Sequence, residues 1–389
     1  MAKAIPAIIT PEVLKWAREL DAFSIEEAAK KMNTTPERIE QWEKGDARPT
    51  LNQAKRLAKI YRVPFVYFYL PDIPLKKKRL EKIDYRTIGN TGGIFYESRE
   101  LRWLLRDIED RRDIMIALLE EENALPREFP LHIDEKTDER TLASEIRELL
   151  EITPELQKTF RQPKVALDHC INILESHDVL VFQAAKISLK EMRGLSLAYE
   201  RMPIIVVNRK DEPSARLFTL CHELVHIVTK TSGICNDTAE NAESKFEIEM
   251  ICNRVAGRVL ITDEAIRKHT ASLEIKKNGI DDLKVSIIAR DFAVSRAVVI
   301  HRLWDINYIS KETYFDTFSR YTEEYKASAE KKKNGFLPPA IDIGTQLGKL
   351  YSRTILTGLY SEKLTPRDAS TCLLNLKEKN FSKLERWCF

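Results

Sequence analysis

The stretch Leu220-Cys221-His222-Glu223-Leu224-Val225-His226 contains the pattern H-E-x-x-H. Residues four apart on an α-helix lie on the same face, so His222 and His226 can bind one metal ion together. Glu223 lies beside them, where it can accept a proton from a water molecule that the metal activates. Catalytic zinc needs three protein ligands and one open position, so the pattern predicts a zinc centre that still lacks one ligand.

Three apolar segments precede this pattern in the sequence. Val179–Phe182, Gly194–Tyr199 and Ile204–Asn208 have the composition of buried strands. Acidic residues before Pro213 are typical of a helix start, since they lie at the positive end of the helix dipole. The sequence therefore predicts a mainly α chain with a small β-sheet, in which the histidine pair lies on the helix that follows the last strand.

The third ligand is expected on the next helix, whose apolar stripe runs from Ile248 to Leu260. Glu249 lies at one edge of the stripe and Glu247 at the other, about 200° apart around the helix axis. Only one of them can face the metal, and periodicity does not decide which. Cys221 adjoins a ligand but points about 100° away from it, so it is interpreted as a packing residue.

The length of 389 residues predicts two to four domains, and a hydrophobic fraction of 43% suffices for ordinary cores. The net charge of +3 is unevenly placed, because residues 1–90 carry +6 and the remainder carries −3. A basic N-terminal segment favours a nucleic-acid partner. The six cysteines form no C-x-x-C pair, and we expect neither a signal peptide nor a membrane span. These features favour a cytoplasmic protein.

The first 70 residues have the pattern of several short helices. Ser24-Ile25-Glu26-Glu27 offers a capping box, and Pro36 suits the start of a third helix. This segment resembles the Cro/repressor (Xre) helix-turn-helix family. The residues that carry the resemblance are Ala28-Ala29-Lys30-Lys31-Met32, Trp42-Glu43-Lys44-Gly45, Pro49-Thr50 and Leu57-Ala58. The resemblance implies a five-helix-type domain whose recognition helix, Thr35–Trp42, lies in the major groove of double-stranded DNA.

The expected DNA contacts lie on and just after this recognition helix. They are Arg38, Gln41, Lys44 and Arg48, of which the first two are the expected base readers. Three glutamates on the same helix repel phosphates: Glu37, Glu40 and Glu43. They favour an alternative in which the module docks on a partner protein or on its own chain.

The residues around the histidine pair resemble the ImmA/IrrE family of zinc metallopeptidases over Arg216–His226. That family continues with E-x-x-A-N-x-F-A-x-x-L-L, which is similar to Glu249–Leu260 here. Cys252 replaces Ala, Val255 replaces Phe, and Ile261-Thr262 stand where Met-Pro is usual. The resemblance implies a zincin-like α+β core with Glu249 as the third ligand of Zn²⁺. It also implies metal-assisted peptide hydrolysis with Glu223 as the base.

The whole chain is thus expected to have five segments. They are a helix-turn-helix domain (1–70), a basic linker and helical scaffold (71–160), a zincin-like metallopeptidase domain (161–265), a helical subdomain (266–330) and a tail (331–389). The run Lys76–Arg79 is either a solvated linker or an arm along the DNA backbone. The tail is expected to begin with a linker at 331–335 and to form two helices, with a capping box at Thr365–Asp368.

Two functions follow from these features. In the first, the chain is a DNA-binding regulator and a zinc endopeptidase that cleaves a specific repressor or toxin-like partner. In the second, it is a non-proteolytic DNA-binding antitoxin or autoregulator that binds a cognate toxin, with a structural or vestigial metal site. Homodimerisation stays open, and no membrane partner is expected.

Overall fold

The structure, a computed structural model, describes residues 6–73, 85–86, 98–131, 137–231, 242–276, 279–329 and 337–389. The chain divides into two compact units. The N-terminal unit comprises Met1–Glu81 and Ile94–Arg106, and the C-terminal unit comprises Lys82–Gly93 and Asp107–Phe389. The basic run Lys76–Arg79 and the linker at 331–335 lie outside the described residues.

Within residues 6–73 the N-terminal unit is helical. Its elements are α1 (Pro11–Leu20), α2 (Ile25–Met32), α3 (Pro36–Lys44), α4 (Leu51–Ile60) and a 3-10 helix (Phe65–Tyr69). Capping boxes start α2 at Ser24, as predicted, and α4 at Thr50, where each hydroxyl accepts a hydrogen bond from the third N–H of its helix. Trp42 and Leu57 are buried in one core that all five helical segments share. The five-helix-type domain is confirmed.

Asp21 joins the loop after α1 to the start of α5 (Arg99–Glu121) within the N-terminal unit. Its carboxylate is buried and accepts hydrogen bonds from Trp103 Nε1 at 2.6 Å and from Arg106 at 2.8 Å. A buried charge is tolerated only when it is paired and hydrogen-bonded, so these two contacts fix the first turns of α5 to the helical module.

The C-terminal unit contains a sheet of order β1-β3-β4-β2. Its strands are β1 (Tyr85–Arg86), β2 (Leu180–Ala184), β3 (Gly194–Leu197) and β4 (Ile204–Asn208). β2 runs parallel to β4, whereas β3 is antiparallel to both β4 and β1. Every residue of β2, β3 and β4 is buried, which explains their nearly continuous apolar sequence. The three predicted strands are confirmed, and β1 was missed because two residues show no alternation.

Helices cover this sheet and extend the unit. α6 (Glu139–Leu149), α7 (Pro154–Gln157) and α8 (Pro163–Ser176) precede β2. α9 (Pro213–Thr231), α10 (Ala242–Leu260), α11 (Asp263–Ser272), α12 (Asp282–Asp291), α13 (Arg296–Asp305) and α14 (Lys311–Ala329) follow β4. A buried arginine, Arg302 of α13, pairs with Asp305 at 2.7 Å and donates to the carbonyl of Ile261. It thereby fixes α13 to the end of α10.

The tail differs from the two helices that the sequence predicts. Residues 337–389 form four α-helices: α15 (Pro339–Leu347), α16 (Lys349–Tyr360), α17 (Pro366–Cys372) and α18 (Phe381–Cys388). Gly348 ends α15 with a φ of +79°, a value that favours glycine, and thereby separates α15 from α16. The predicted capping box between Thr365 and Asp368 starts α17. Within the described part of the chain, no helix is long and apolar enough to cross a membrane.

Candidate metal centre and DNA-binding face

α9 carries the histidine pair through the middle of the C-terminal core. Apolar side chains are buried on several sides of this helix, including Leu224, Val225 and Ile227. His222 and His226 are themselves buried, and their Nε2 atoms lie 3.1 Å apart. Buried imidazoles need polar partners, because an uncompensated polar group in an apolar core is costly.

Glu249 of α10 reaches the same point. One oxygen of its carboxylate lies 3.2 Å from Nε2 of His222, and the other lies 3.2 Å from Nε2 of His226. Burial alone would raise the pKa of Glu249, but its hydrogen bonds with His222 and His226 outweigh that effect and hold the pKa well below its usual range. Glu247, the alternative that periodicity left open, is exposed on the same helix.

The donor set and spacing of these three side chains fit zinc. Two imidazole nitrogens and one carboxylate are a known ligand set of catalytic zinc. A tetrahedral zinc with bonds of about 2.0 Å places its ligand atoms about 3.3 Å apart. The separations of 3.1 and 3.2 Å between the side chains of His222, His226 and Glu249 match three corners of such a tetrahedron.

Glu223 faces β3 from α9. It is buried, and its Oε2 accepts a hydrogen bond of 2.8 Å from the hydroxyl of Ser196. A Cβ added at Gly194 would lie 2.3 Å from Thr219 Cγ2 and 2.9 Å from Glu223 Oε1, so only glycine leaves room for both side chains. β3 thereby holds the carboxylate in one position.

Gly194 and Ser196 are absent from the sequence-based prediction of the site. A usable pattern was present, since both alternate with Leu195 and Leu197 along a buried strand. Small and polar residues at every second position indicate a strand face that receives a side chain from another element.

The two cysteines beside the ligands have different surroundings. Cys221 is fully buried, and burial raises the pKa of its thiol well above the ordinary value, in agreement with a packing role. Cys252, also buried, places its sulfur 3.7 Å from Nδ1 of His226. This contact orients the ring whose other nitrogen faces Glu249.

The expected DNA contacts all lie on one exposed part of the N-terminal unit. Arg38, Gln41 and Lys44 are exposed on α3, and Arg48 is exposed in the turn that follows. Arg38 donates to the side-chain oxygen of Gln41 at 3.1 Å, so the two expected base readers are neighbours.

The three glutamates of α3 do not all face outward. The side chain of Glu43 is 6% exposed and forms two hydrogen bonds with Arg18 of α1, of 2.7 and 3.0 Å. Lys44 pairs with Glu40 at 3.2 Å. The objection that three glutamates repel phosphates is therefore weaker than the sequence suggests, because Glu43 serves to fix α3 to α1.

Comparison with known protein families matches two parts of the chain. Residues 174–304 match the peptidase family M78, described as the IrrE N-terminal-like domain, and residues 14–68 match a family described as Helix-turn-helix. The chain is a fusion of these two domains. No curated protein matches it.

The M78 peptidase-family domain contains the histidine pair, Glu223, Glu249 and the buried Ser196. The helix-turn-helix domain contains Arg38 and the other three expected DNA contacts. A DNA-binding domain and a metallopeptidase-family domain are thus present in one chain. α14 and the four tail helices lie beyond both matched regions.

Proposed function

We propose that this protein is a DNA-binding regulator and a zinc-dependent endopeptidase that cleaves one specific protein partner. One observation carries the proposal: His222, His226 and Glu249 present three ligand atoms at the spacing of tetrahedral zinc. The buried carboxylate of Glu223 lies on the same helix, one residue after the first ligand. A purely structural zinc site would have a fourth protein ligand, and the cluster among the described residues has three.

The proposed hydrolysis depends both on a zinc ion and on the side chains around it. When bound by His222, His226 and Glu249, zinc would act as a Lewis acid that lowers the pKa of water to about 7 and polarises the carbonyl of the scissile bond. Glu223 accepts the proton of the attacking water and delivers it to the leaving amine. Ser196 holds Glu223 in place through its hydrogen bond, and burial of the carboxylate excludes competing solvent.

The helix-turn-helix domain would bring the peptidase to DNA. Arg38 and Gln41 would read base edges, while Lys44 and Arg48 would bind phosphates. Because DNA binding brings the chain to a promoter, the protein partner that we propose as substrate is a repressor or a toxin-like protein expressed with it. The reaction then takes place in the cytoplasm.

Zinc analysis and a single substitution test the proposal. The purified chain is expected to hold one zinc ion, and Glu223→Gln is expected to keep it, since Glu223 is not a ligand. The wild type should cut the product of a neighbouring gene, whereas the variant should be slower by roughly 10²–10⁴-fold, the contribution of general acid–base catalysis. A chain without zinc, or equal cleavage by both proteins, would refute the peptidase function.

A further inference from the structure

A cavity of about 630 Å³ lies between α9, α10, α13 and α14 of the C-terminal unit. Its lining includes a group of aromatic side chains, among them Phe218, Trp304, Tyr314, Phe315, Phe318 and Tyr321. Its size falls within the range of ligand pockets, roughly 300–1,000 Å³.

The cavity is lined by helical neighbours of His222, His226 and Glu249, which together are called the metal group. Phe218 precedes His222 by one helical turn, and the two ring centroids are 6.4 Å apart. Met250 and Asn253, which follow Glu249 on α10, also line the cavity, as does Arg193 immediately before β3. The lining thus includes Phe218 and Asn253, each one helical turn from a ligand, and the residue before the strand that positions Glu223.

The aromatic wall is arranged to receive another ring. Trp304 and Tyr314 stack with centroids 4.6 Å apart and ring planes at 16°. Phe315 and Phe318 extend this wall and are 52% and 39% exposed. Exposed aromatic faces bordering a cavity lose contact with water when another aromatic group binds, which stabilises the bound form.

The charged residues of the cavity are already neutralised by the protein. Arg193 pairs with Asp211 at 3.3 Å, and Arg296 pairs with Glu324 at 2.5 Å. Tyr325 of α14 donates a hydrogen bond to Asp211 and so ties this end of the cavity wall to the loop before α9. Because these cations have fixed carboxylate partners, the lining favours a neutral aromatic group over an anion.

We infer that this cavity is the specificity pocket of the peptidase and binds a large aromatic side chain of the protein substrate, next to the bond that is cleaved. The inference rests on the proposed peptidase function. The cavity is larger than one aromatic side chain, so it also takes adjoining backbone of the substrate. This assigns α14, which lies outside the family match, to substrate recognition.

A binding experiment on the full chain tests the pocket without turnover. The Glu223→Gln protein is labelled with 5-fluorotryptophan, which gives one ¹⁹F signal for each of its five tryptophans. It is then titrated with N-acetyl-phenylalanine amide and N-acetyl-alanine amide. The signal of Trp304 is expected to shift with the phenylalanine amide and to require about tenfold or more alanine amide for the same shift.

One variant and one matched control localise the binding. Ala297 lines the cavity and is partly exposed, so Ala297→Phe should fill the space and abolish the shift without removing a core contact. Phe389→Ala, which removes an aromatic side chain that is 74% exposed and does not line the cavity, should leave the shift unchanged. Equal binding of both amides, or an undiminished shift in Ala297→Phe, would overturn the pocket.

Cleavage separates this inference from the proposed function. The zinc-loaded wild type should cut its partner beside an aromatic residue, and replacing that residue by alanine should lower kcat/KM about tenfold or more. N-acetyl-phenylalanine amide should inhibit competitively. If the amide binds but accelerates cleavage, the cavity is an effector site and the inference fails. Binding without any zinc-dependent cleavage refutes the peptidase, whereas cleavage with no aromatic preference refutes only the pocket.

Discussion

At the scale of single residues, two glutamates of one helix differ in whether they reach the histidine pair. Glu249 and Glu247 lie two residues apart on α10, yet only Glu249 lies 3.2 Å from both histidines. We expect Glu249→Gln to lower zinc affinity by more than the roughly 10–100-fold that an outer-shell partner contributes, because a neutral amide replaces an anionic ligand. Isothermal titration with zinc measures the loss. Glu247→Gln is the control, and comparable losses in both variants would contradict the assignment.

Ser196 is the residue that positions Glu223 from outside the helix. Removing its hydroxyl in Ser196→Ala should leave zinc content unchanged and lower kcat about 10–100-fold at constant KM, since the carboxylate loses its fixed orientation. The matched control is Ser352→Ala. Ser352 is also a buried hydroxyl, but it donates to the carbonyl of Gly348 in the tail. If the two variants lose activity equally, the effect of Ser196 is on stability and not on positioning.

Glu175 gives the C-terminal unit a pH-dependent stability. Burial raises its pKa to about 7, although Lys349 N–H donates to its carboxylate at 3.2 Å. The folded-state pKa lies above the ordinary value, so folding favours the protonated form. Stability from this group is therefore full below about pH 4.5 and is lost as the pH rises to about 7, by about 3 kcal/mol in total.

The substitution Glu175→Gln isolates that contribution. The amide keeps the size of the side chain and does not titrate, so the stability of the variant relative to the wild type should increase between pH 4.5 and 7. Urea unfolding at several pH values measures the difference. A difference that stays constant across this range would show that Glu175 remains charged in the folded protein.

At the scale of elements, α3 combines the exposed residues that we propose as base readers with a buried glutamate that fixes the helix to α1. Arg38 is exposed beside Gln41, while Glu43 on the inner side of the helix is paired with Arg18. Arg38→Ala should weaken binding to the operator by about 1–3 kcal/mol and relax the preference for one base pair. Lys15→Ala, an exposed cation on α1, is the control for charge alone. Equal losses in the two variants, measured by fluorescence anisotropy, would argue against base reading by Arg38.

How well the sequence predicts these elements depends on how far apart along the chain the contacting residues lie. His222 and His226 are one turn apart on one helix, so their spacing alone predicts a shared metal. Glu43 is different, because its partner Arg18 lies 25 residues away and decides which side of α3 faces inward. Ser196 meets Glu223 across 27 residues, through the packing of β3 on α9. Local periodicity contains no information about such packing, and for the same reason it left Glu247 and Glu249 as alternatives.

At the scale of the whole molecule, the two candidate sites lie in different compact units, each with its own buried core. A DNA-binding face made of cations predicts strong dependence on salt, because each phosphate contact releases counterions. The logarithm of the binding constant should fall by about 0.9 per contact for each tenfold rise in salt. Lys44→Ala and Arg48→Ala should each reduce that slope by about 0.9. Binding that is insensitive to salt would contradict a phosphate-binding role for these residues.

Separate units also predict that the two activities respond separately to metal removal. A chelator should abolish cleavage, because it removes the ion that we propose His222, His226 and Glu249 bind together. DNA affinity should change little, because the core of the helix-turn-helix unit contains no residue of the metal group. Anisotropy with operator DNA and a cleavage assay on the same chelated sample measure both properties, and added zinc should restore cleavage.

If chelation weakens DNA binding about tenfold, the metal site and the DNA-binding face are coupled, with a coupling free energy of about 1.4 kcal/mol. The metal would then act as a regulator of DNA binding as well as a catalyst.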